Sequence, residues 1–211
     1  NRRNGRPVTW FFLAGDTGGA DGNYALGSPA FRNLVQDISA ESRVGIHFSC
    51  RSNHSELLRQ KEYERFARLT GIRPDRNRQH FVLLTFPETY RQLDRLGIRE
   101  DYTMGYASAN GFRAGTSRPF HFYDIGSETE TQLMIFPFIV MDVTCKKYRG
   151  LSPDEALAEF NTLKARVRAV NGTFTTLWHN ESLSEWGGWE GWRRVYEKGT
   201  RDEGRGTRGN R

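Results

Sequence analysis

Short apolar runs alternate with amphipathic stretches along the chain, and that alternation predicts an α/β layered fold. Residues 8–14 are nearly all apolar and predict a strand buried on both faces. Residues 15–27 are glycine-rich, carry Asp16, Asp21 and Asn23, and predict a loop. Ser28-Pro29 then opens a helix with serine as N-cap and proline at the first position, its inward face being Phe31, Leu34, Val35 and Ile38. A strand over 44–48 follows. Asn53-His54-Ser55-Glu56 resembles a capping box, so a helix is expected from about His54 to Leu69, stopped by Gly71.

Further on, residues 80–84 predict a strand, and Pro87 a short helix with Tyr90, Leu93 and Leu96 inward. Residues 101–124 show no period; so long an irregular segment inside a compact domain is usually functional. The apolar run 133–142 predicts a strand that Pro137 breaks or confines to an edge. Ser152-Pro153-Asp154-Glu155 unites cap, N1 proline and N3 glutamate, and the helix it starts buries Ala156, Leu157, Phe160, Leu163, Val167 and Val170. A strand over 173–178 and a short helix holding Trp189, Trp192, Val195 and Tyr196 complete the order. With no repeat or linker, one domain over residues 1–198 is expected.

Composition narrows this further. A chain of 211 residues, 36% hydrophobic and 13% aromatic, can bury one substantial core. No apolar run approaches the roughly 18 residues of a membrane span. The first residue is Asn1, no secretory signal begins the chain, and the first strand starts abruptly, so an upstream piece of the protein is expected to be missing. The net charge of +6 suggests a nucleic-acid partner, but its location argues otherwise: residues 193–211 hold seven basic residues against three acidic ones. The Gly/Arg-rich tail 199–211 is expected to be disordered, with an RNA-binding tail as the alternative to a solvated terminus. Cys50 and Cys145 lack Cys-x-x-Cys spacing, which excludes a zinc finger; each follows a predicted strand and reads as a buried thiol or as part of a site mouth.

Two segments carry the candidate chemistry. In Arg43-Val44-Gly45-Ile46-His47-Phe48-Ser49 and in Gly172-Thr173-Phe174-Thr175-Thr176-Leu177-Trp178-His179-Asn180, an imidazole sits where an apolar run breaks into polar sequence. Strand ends in α/β proteins are where ligands and metals gather, so His47 and His179 are expected to meet at one hydrolytic centre, or else to be hydrogen-bonded structural residues.

These segments and their order resemble the polysaccharide deacetylase family, carbohydrate esterase family four. Val8-Thr9-Trp10-Phe11-Phe12-Leu13 resembles its Thr-Phe-Phe-type strand, Val44-Gly45-Ile46-His47 its metal-histidine strand, Arg78-Gln79-His80-Phe81 its arginine motif, Gly97-Ile98-Arg99-Glu100-Asp101 the segment after that, and Leu177-Trp178-His179-Asn180 its closing motif. The wording of Asp101–Tyr106 and Gly111–Thr116 is similar to an atypical bacterial branch. The resemblance implies a distorted β/α barrel, incomplete here, with zinc or another divalent metal at its C-terminal mouth, and a bacterial cytoplasmic or cell-envelope setting. The metal would polarise an acetyl carbonyl and activate water; a carboxylate would take the water proton and a histidine would protonate the leaving group. By position His179, Arg78 and Asp101 take catalytic roles, and His47, His80 and His54 are the metal candidates. Arg113, Tyr106, Trp178 and Asp142 are candidates for substrate binding. Each has a plainer reading: Arg78 as an exposed member of the basic run 73–78, Arg113 in a salt bridge to Asp101 or Asp124, Asp142 as a turn cap, and Trp178 with Trp186, Trp189 and Trp192 in packing.

The chain departs from the family in two places. The opening Thr-Phe-Asp-Asp motif, which supplies base and metal carboxylate, is absent, and Arg51 stands where the second metal histidine is usual; a guanidinium cannot ligate a cation. The expected function is metal-dependent removal of acetyl groups from an acetylated amino sugar or polysaccharide, with weak metal binding and little turnover in this chain. The alternative is a non-catalytic carbohydrate-binding domain using the same cleft.

Overall fold

A computed structural model describes residues 7–19, 21–22 and 26–201. Asn23 and residues 202–211, which hold most of the tail expected to be disordered, lie outside the described residues. Six strands form one sheet in the order β1–β2–β3–β4–β6–β5: β1 (Thr9–Leu13), β2 (Arg43–Phe48), β3 (Arg76–Gln79), β4 (Glu100–Asp101), β5 (Phe120–Asp124) and β6 (Thr129–Ile135). Neighbours pair in parallel except β5 with β6. A second, two-stranded parallel pair joins β7 (Val140–Met141) to β8 (Thr176–Leu177). Between the two sheets, Phe136 N donates to Asp101 O (2.8 Å) and Phe138 N to Met104 O (3.0 Å), so the backbone ladder continues past Pro137. The run 133–142 is thus two strands in different sheets, because proline offers no N–H to the ladder.

Helices α1 (Pro29–Ser39), α2 (Glu56–Thr70), α3 (Glu88–Arg95), α4 (Pro153–Ala169) and α5 (Trp192–Gly199) fill the connections and the end of the chain. Their starts follow local chemistry. The Ser28 hydroxyl accepts from Phe31 N, and Ser152 with Glu155 makes a full capping box. For α2 the cap is Ser55, accepting from Leu58 N, two residues later than expected, because Arg51–His54 form a 3₁₀ turn of their own. Gly71 ends α2 at φ 76°, where a side chain would be strained.

Side-chain alternation gives the first sheet two different faces. One is apolar: Val44, Ile46, Phe48, Leu133 and Ile135 pack against Val35 of α1, Phe66 of α2, and Tyr90 and Leu93 of α3. Leu34, expected on this face, is 51% exposed. The other face stacks rings and charges. Phe11 meets Tyr102 at 5.4 Å between centroids, Tyr102 stacks on Phe136 at 4.7 Å, and the Arg78 guanidinium lies 4.4 Å over the Phe11 ring. Below them Glu100 accepts from Arg43, Arg76 and Tyr102. β1 is half-buried along its length rather than buried on both faces, since it is the edge of this sheet among the described residues. A second core, with Ile139, Val140, Phe160, Leu163, Val167, Trp192 and Val195, lies under α4 and α5; Val170 falls outside it, 60% exposed.

The strand expected over 80–84 lies four residues earlier, over the polar sequence Arg76-Asn77-Arg78-Gln79. Buried Asn77 donates to Asp101 Oδ2 (2.6 Å), and Gln79 N donates to Thr103 Oγ1 (3.0 Å). Paired this way, the Asn77 side chain can occupy a central strand at little net cost.

Gly45 lies where a Cβ would meet the Phe11 ring at 2.6 Å and Arg76 O at 2.8 Å. Gly45→Ala is therefore expected to destabilise the fold by about 1–3 kcal/mol through overpacking, lowering the thermal midpoint by roughly 2–4 °C per kcal/mol. An unchanged midpoint in calorimetry would show that β1 and β2 are not packed in this way.

Candidate functional site

Parallel strands deliver their C-terminal ends to one edge of a sheet, and the chemically capable side chains collect there. His47 is the penultimate residue of β2, Cys50 lies two residues beyond that strand, and His80 directly follows β3. Asp142 directly follows β7, and His179 lies two residues beyond β8. Asp21 comes from the loop after β1, where Gly18 and Asp21 exchange backbone hydrogen bonds of 3.0 and 3.1 Å. The glycines of that loop make this tight bridge feasible, with Gly19 at φ 60°.

The His47 and His80 rings are 5.0 Å apart. The His47 Nδ1 lies 2.6 Å from Arg78 O. A carbonyl only accepts, so Nδ1 carries the proton and Nε2 keeps its lone pair. Burial holds His47 well below the usual imidazole range, and the positive charges of Arg78, His80 and His179 push the same way. His179 is thus close enough to act electrostatically on His47, although 132 positions separate them in the chain.

Asp21 is 1% exposed. Its Oδ1 accepts from Cys50 N at 3.0 Å and faces His80 Nδ1 at 2.7 Å, while Cys50 Sγ is 3.6 Å from the same nitrogen. Burial pushes the Asp21 carboxyl up, but the Cys50 N–H and the His80 ring outweigh it and hold it below its ordinary range. Ligand atoms of Asp21, Cys50 and His80 all lie within 4.8 Å of one another. Asp21 Oδ2 is buried without a hydrogen-bond partner among the described residues, the condition expected of a carboxylate oxygen that a cation would satisfy. The donor set fits a divalent metal.

On the other flank, fully buried Asp142 accepts from His179 N (2.7 Å), Val143 N (2.6 Å) and His179 Nδ1 (2.8 Å). The carboxylate fixes the ring with Nε2 outward, and 42% of the His179 side chain is exposed. Asp142 anchors the histidine and also accepts from the N–H of the next residue, Val143. Arg78 is not exposed in a basic run: burial lowers it to about 10, against the favourable charges of Asp142 and Asp101, and its Nε has no hydrogen-bond partner among the described residues.

Other candidates stand apart. Asp101 pairs in register with Asn77, one position out of phase with Arg78, and so points to the helix side of the sheet. There it is fully buried and held by Asn77 and Thr103. His54 ends the 3₁₀ turn and is exposed, outside the Asp21–Cys50–His80 group. Trp178 packs against Phe160 (5.4 Å) and Tyr196 (5.3 Å), which takes its ring into the second core. Arg113 donates to Gly105 O (3.1 Å), and Asp124 is engaged by Arg91, so the expected Arg113 salt bridge is not formed. Tyr106 is 43% exposed. The residue that sequence reasoning passed over is Asp21; its only signal was an acidic side chain in a glycine-rich loop after a strand.

No family model matches the chain, and no curated protein does. Among solved structures the chain is similar to a candidate polysaccharide deacetylase from Mycobacterium smegmatis, with TM-score 0.64 and 16% identity, over 93% of this chain and 66% of that one. The fold is similar to that of this candidate deacetylase. At such low identity the likeness establishes the fold alone, and the chain spans 66% of that protein's length. The two flanks described above lie at the C-terminal ends of the strands.

Burial pushes the Asp101 carboxyl up to about 6, against the hydrogen bonds of Thr103 and Asn77. A raised folded-state value means that the folded chain binds this proton more tightly than the unfolded one. The associated stability is complete below about pH 4 and is lost as pH rises through 6, a contribution on the order of a few kcal/mol. Carboxyl-carbon NMR should give a midpoint for Asp101 near 6; a midpoint at or below 4 would mean the carboxyl is solvated.

Proposed function

We propose that the chain carries a metal-dependent hydrolytic centre that removes acetyl groups from an acetylated amino sugar or polysaccharide. Supporting this reading are a possible ligand group, Asp21–Cys50–His80, whose His80 ring lies 5.0 Å from that of His47, and a carboxylate-anchored histidine, His179, whose charge acts on His47, both just beyond strand ends of a fold similar to that of a candidate polysaccharide deacetylase.

The side chains that would hold a divalent ion, zinc in this reading, are Asp21 and His80, with His47 alongside. When bound, such an ion supplies carbonyl polarisation and a water of lowered pKa. The chain's own residues would orient the substrate, stabilise charge and protonate the leaving group. Asp142 holds His179 through Nδ1, so its outward Nε2 presents a proton to the departing amine or alkoxide when the ring is charged, and its partial exposure leaves it open to substrate. Arg78, fixed on Phe11, adds positive potential beside His47 and Asp142 and would favour the negative charge that develops on the acetyl oxygen. Exposed Tyr106 offers an aromatic face for a sugar ring.

His179→Ala should reduce acetate release from acetylated oligosaccharides by about 10²–10⁴-fold, the usual contribution of a general acid, with circular dichroism unchanged. Asp142→Asn should lose much of the same activity by releasing the ring. Release unaffected by His179→Ala would overturn the assignment; glycan binding without acetate release in the parent chain would favour a carbohydrate-binding domain.

A further inference from the structure

Resting on that reading but going beyond it, we infer that the metal centre uses a thiolate: Cys50 Sγ, His80 Nδ1 and an Asp21 carboxylate oxygen form a three-ligand N/O/S site selective for zinc-type ions over magnesium or calcium.

Three side chains from three successive strand ends point at one spot, and none depends on another for its place in the sequence. Protein ligands at about 2.0–2.3 Å around a tetrahedral zinc-type ion lie roughly 3.3–3.7 Å from one another. Cys50 Sγ and His80 Nδ1, 3.6 Å apart, already have the spacing of two such ligands. Asp21 Oδ1 and His80 Nδ1, at 2.7 Å, are hydrogen-bonded and must separate by under 1 Å to admit an ion. Asp21 Oδ2, buried and without a partner among the described residues, is the further donor that site would satisfy. Hard cations prefer six or more oxygen ligands, and a site with one thiol and one imidazole offers them little. Three protein ligands leave a fourth position for water or substrate, the form that catalytic zinc sites take.

The Cys50 S–H bond breaks as the sulfur–metal bond forms, and its proton goes to solvent. His80 gives up the Nδ1 proton now shared with Asp21 and, as a neutral ring, carries one on Nε2 instead. No oxidant or reductant takes part.

The test is titration of the metal-free full chain with cobalt(II), read optically. Expected are one equivalent bound, the visible bands of a four-coordinate ion, and an intense near-ultraviolet thiolate-to-cobalt charge-transfer band, all displaced by zinc and unaffected by excess magnesium. Cys50→Ser should abolish the charge-transfer band and weaken cobalt binding at least about 100-fold, beyond the 10–100-fold typical of losing a residue that only supports a ligand. Asp21→Asn should weaken binding yet keep the band, because the sulfur remains; this second variant guards against a Cys50 variant that fails to fold. Cobalt bound without the band, or with a band that survives Cys50→Ser, overturns the thiolate site, as does failure to bind cobalt at all. Acetate release is scored separately: the band without release refutes the proposed function and leaves the metal site standing, whereas metal-dependent release without the band does the reverse.

Discussion

In a parallel sheet a single register decides which side chains share a face and which share an edge, and here the pairing of Leu13 with His47 and of His47 with Arg78 does both. Phe11, two residues before Leu13 on β1, faces Arg78 across the sheet, and Gly45 leaves room for its ring. The same register turns Asn77 and Asp101 to the opposite, largely apolar face, where they hydrogen-bond to each other. A slip of one residue would exchange these sets and place a carboxylate among the stacked rings and an imidazole under the helices.

The site inherits its precision from that constraint. Its side chains stand on or just beyond strands rather than on long free loops, and the exception, Asp21, is tied back by the Gly18 bridge, the Cys50 N–H and the His80 ring. Two groups with different electrostatics result. Around Asp21, a buried carboxylate stands against a thiol and an imidazole, a donor set suited to a cation. Around Asp142, a fully buried carboxylate orients a half-exposed imidazole, an arrangement suited to moving a proton. Arg78 lies between them, its charge supported by Asp142 and Asp101 and its guanidinium resting on a ring instead of in water.

Much of the scaffold was legible in the chain because it rests on local signals. Ser28-Pro29 and Ser152-Pro153-Asp154-Glu155 start helices through bonds within a single turn, Gly71 stops one, and Pro137 splits an apolar run. Local rules failed where partners are remote. The Arg76–Gln79 strand read as part of an exposed basic run, since the partner that makes Asn77 tolerable in the interior is Asp101, two dozen residues away. His54, a metal candidate by its place in the resemblance, ends a 3₁₀ turn and is exposed, which no local signal announced.

By itself, then, the sequence determined the alternation of strands and helices, their principal caps and breaks, and the presence of histidines after apolar runs, because each depends on residues a few positions apart. Only the tertiary structure decided that His47 and His80 meet, that Asp21 and Cys50 join His80, that Asp142 anchors His179, that Asp101 bonds Asn77 and Thr103, and that Trp178 packs on Phe160 and Tyr196. Those outcomes depend on strand order and register, which sum weak interactions over the whole sheet and leave no mark at any one position.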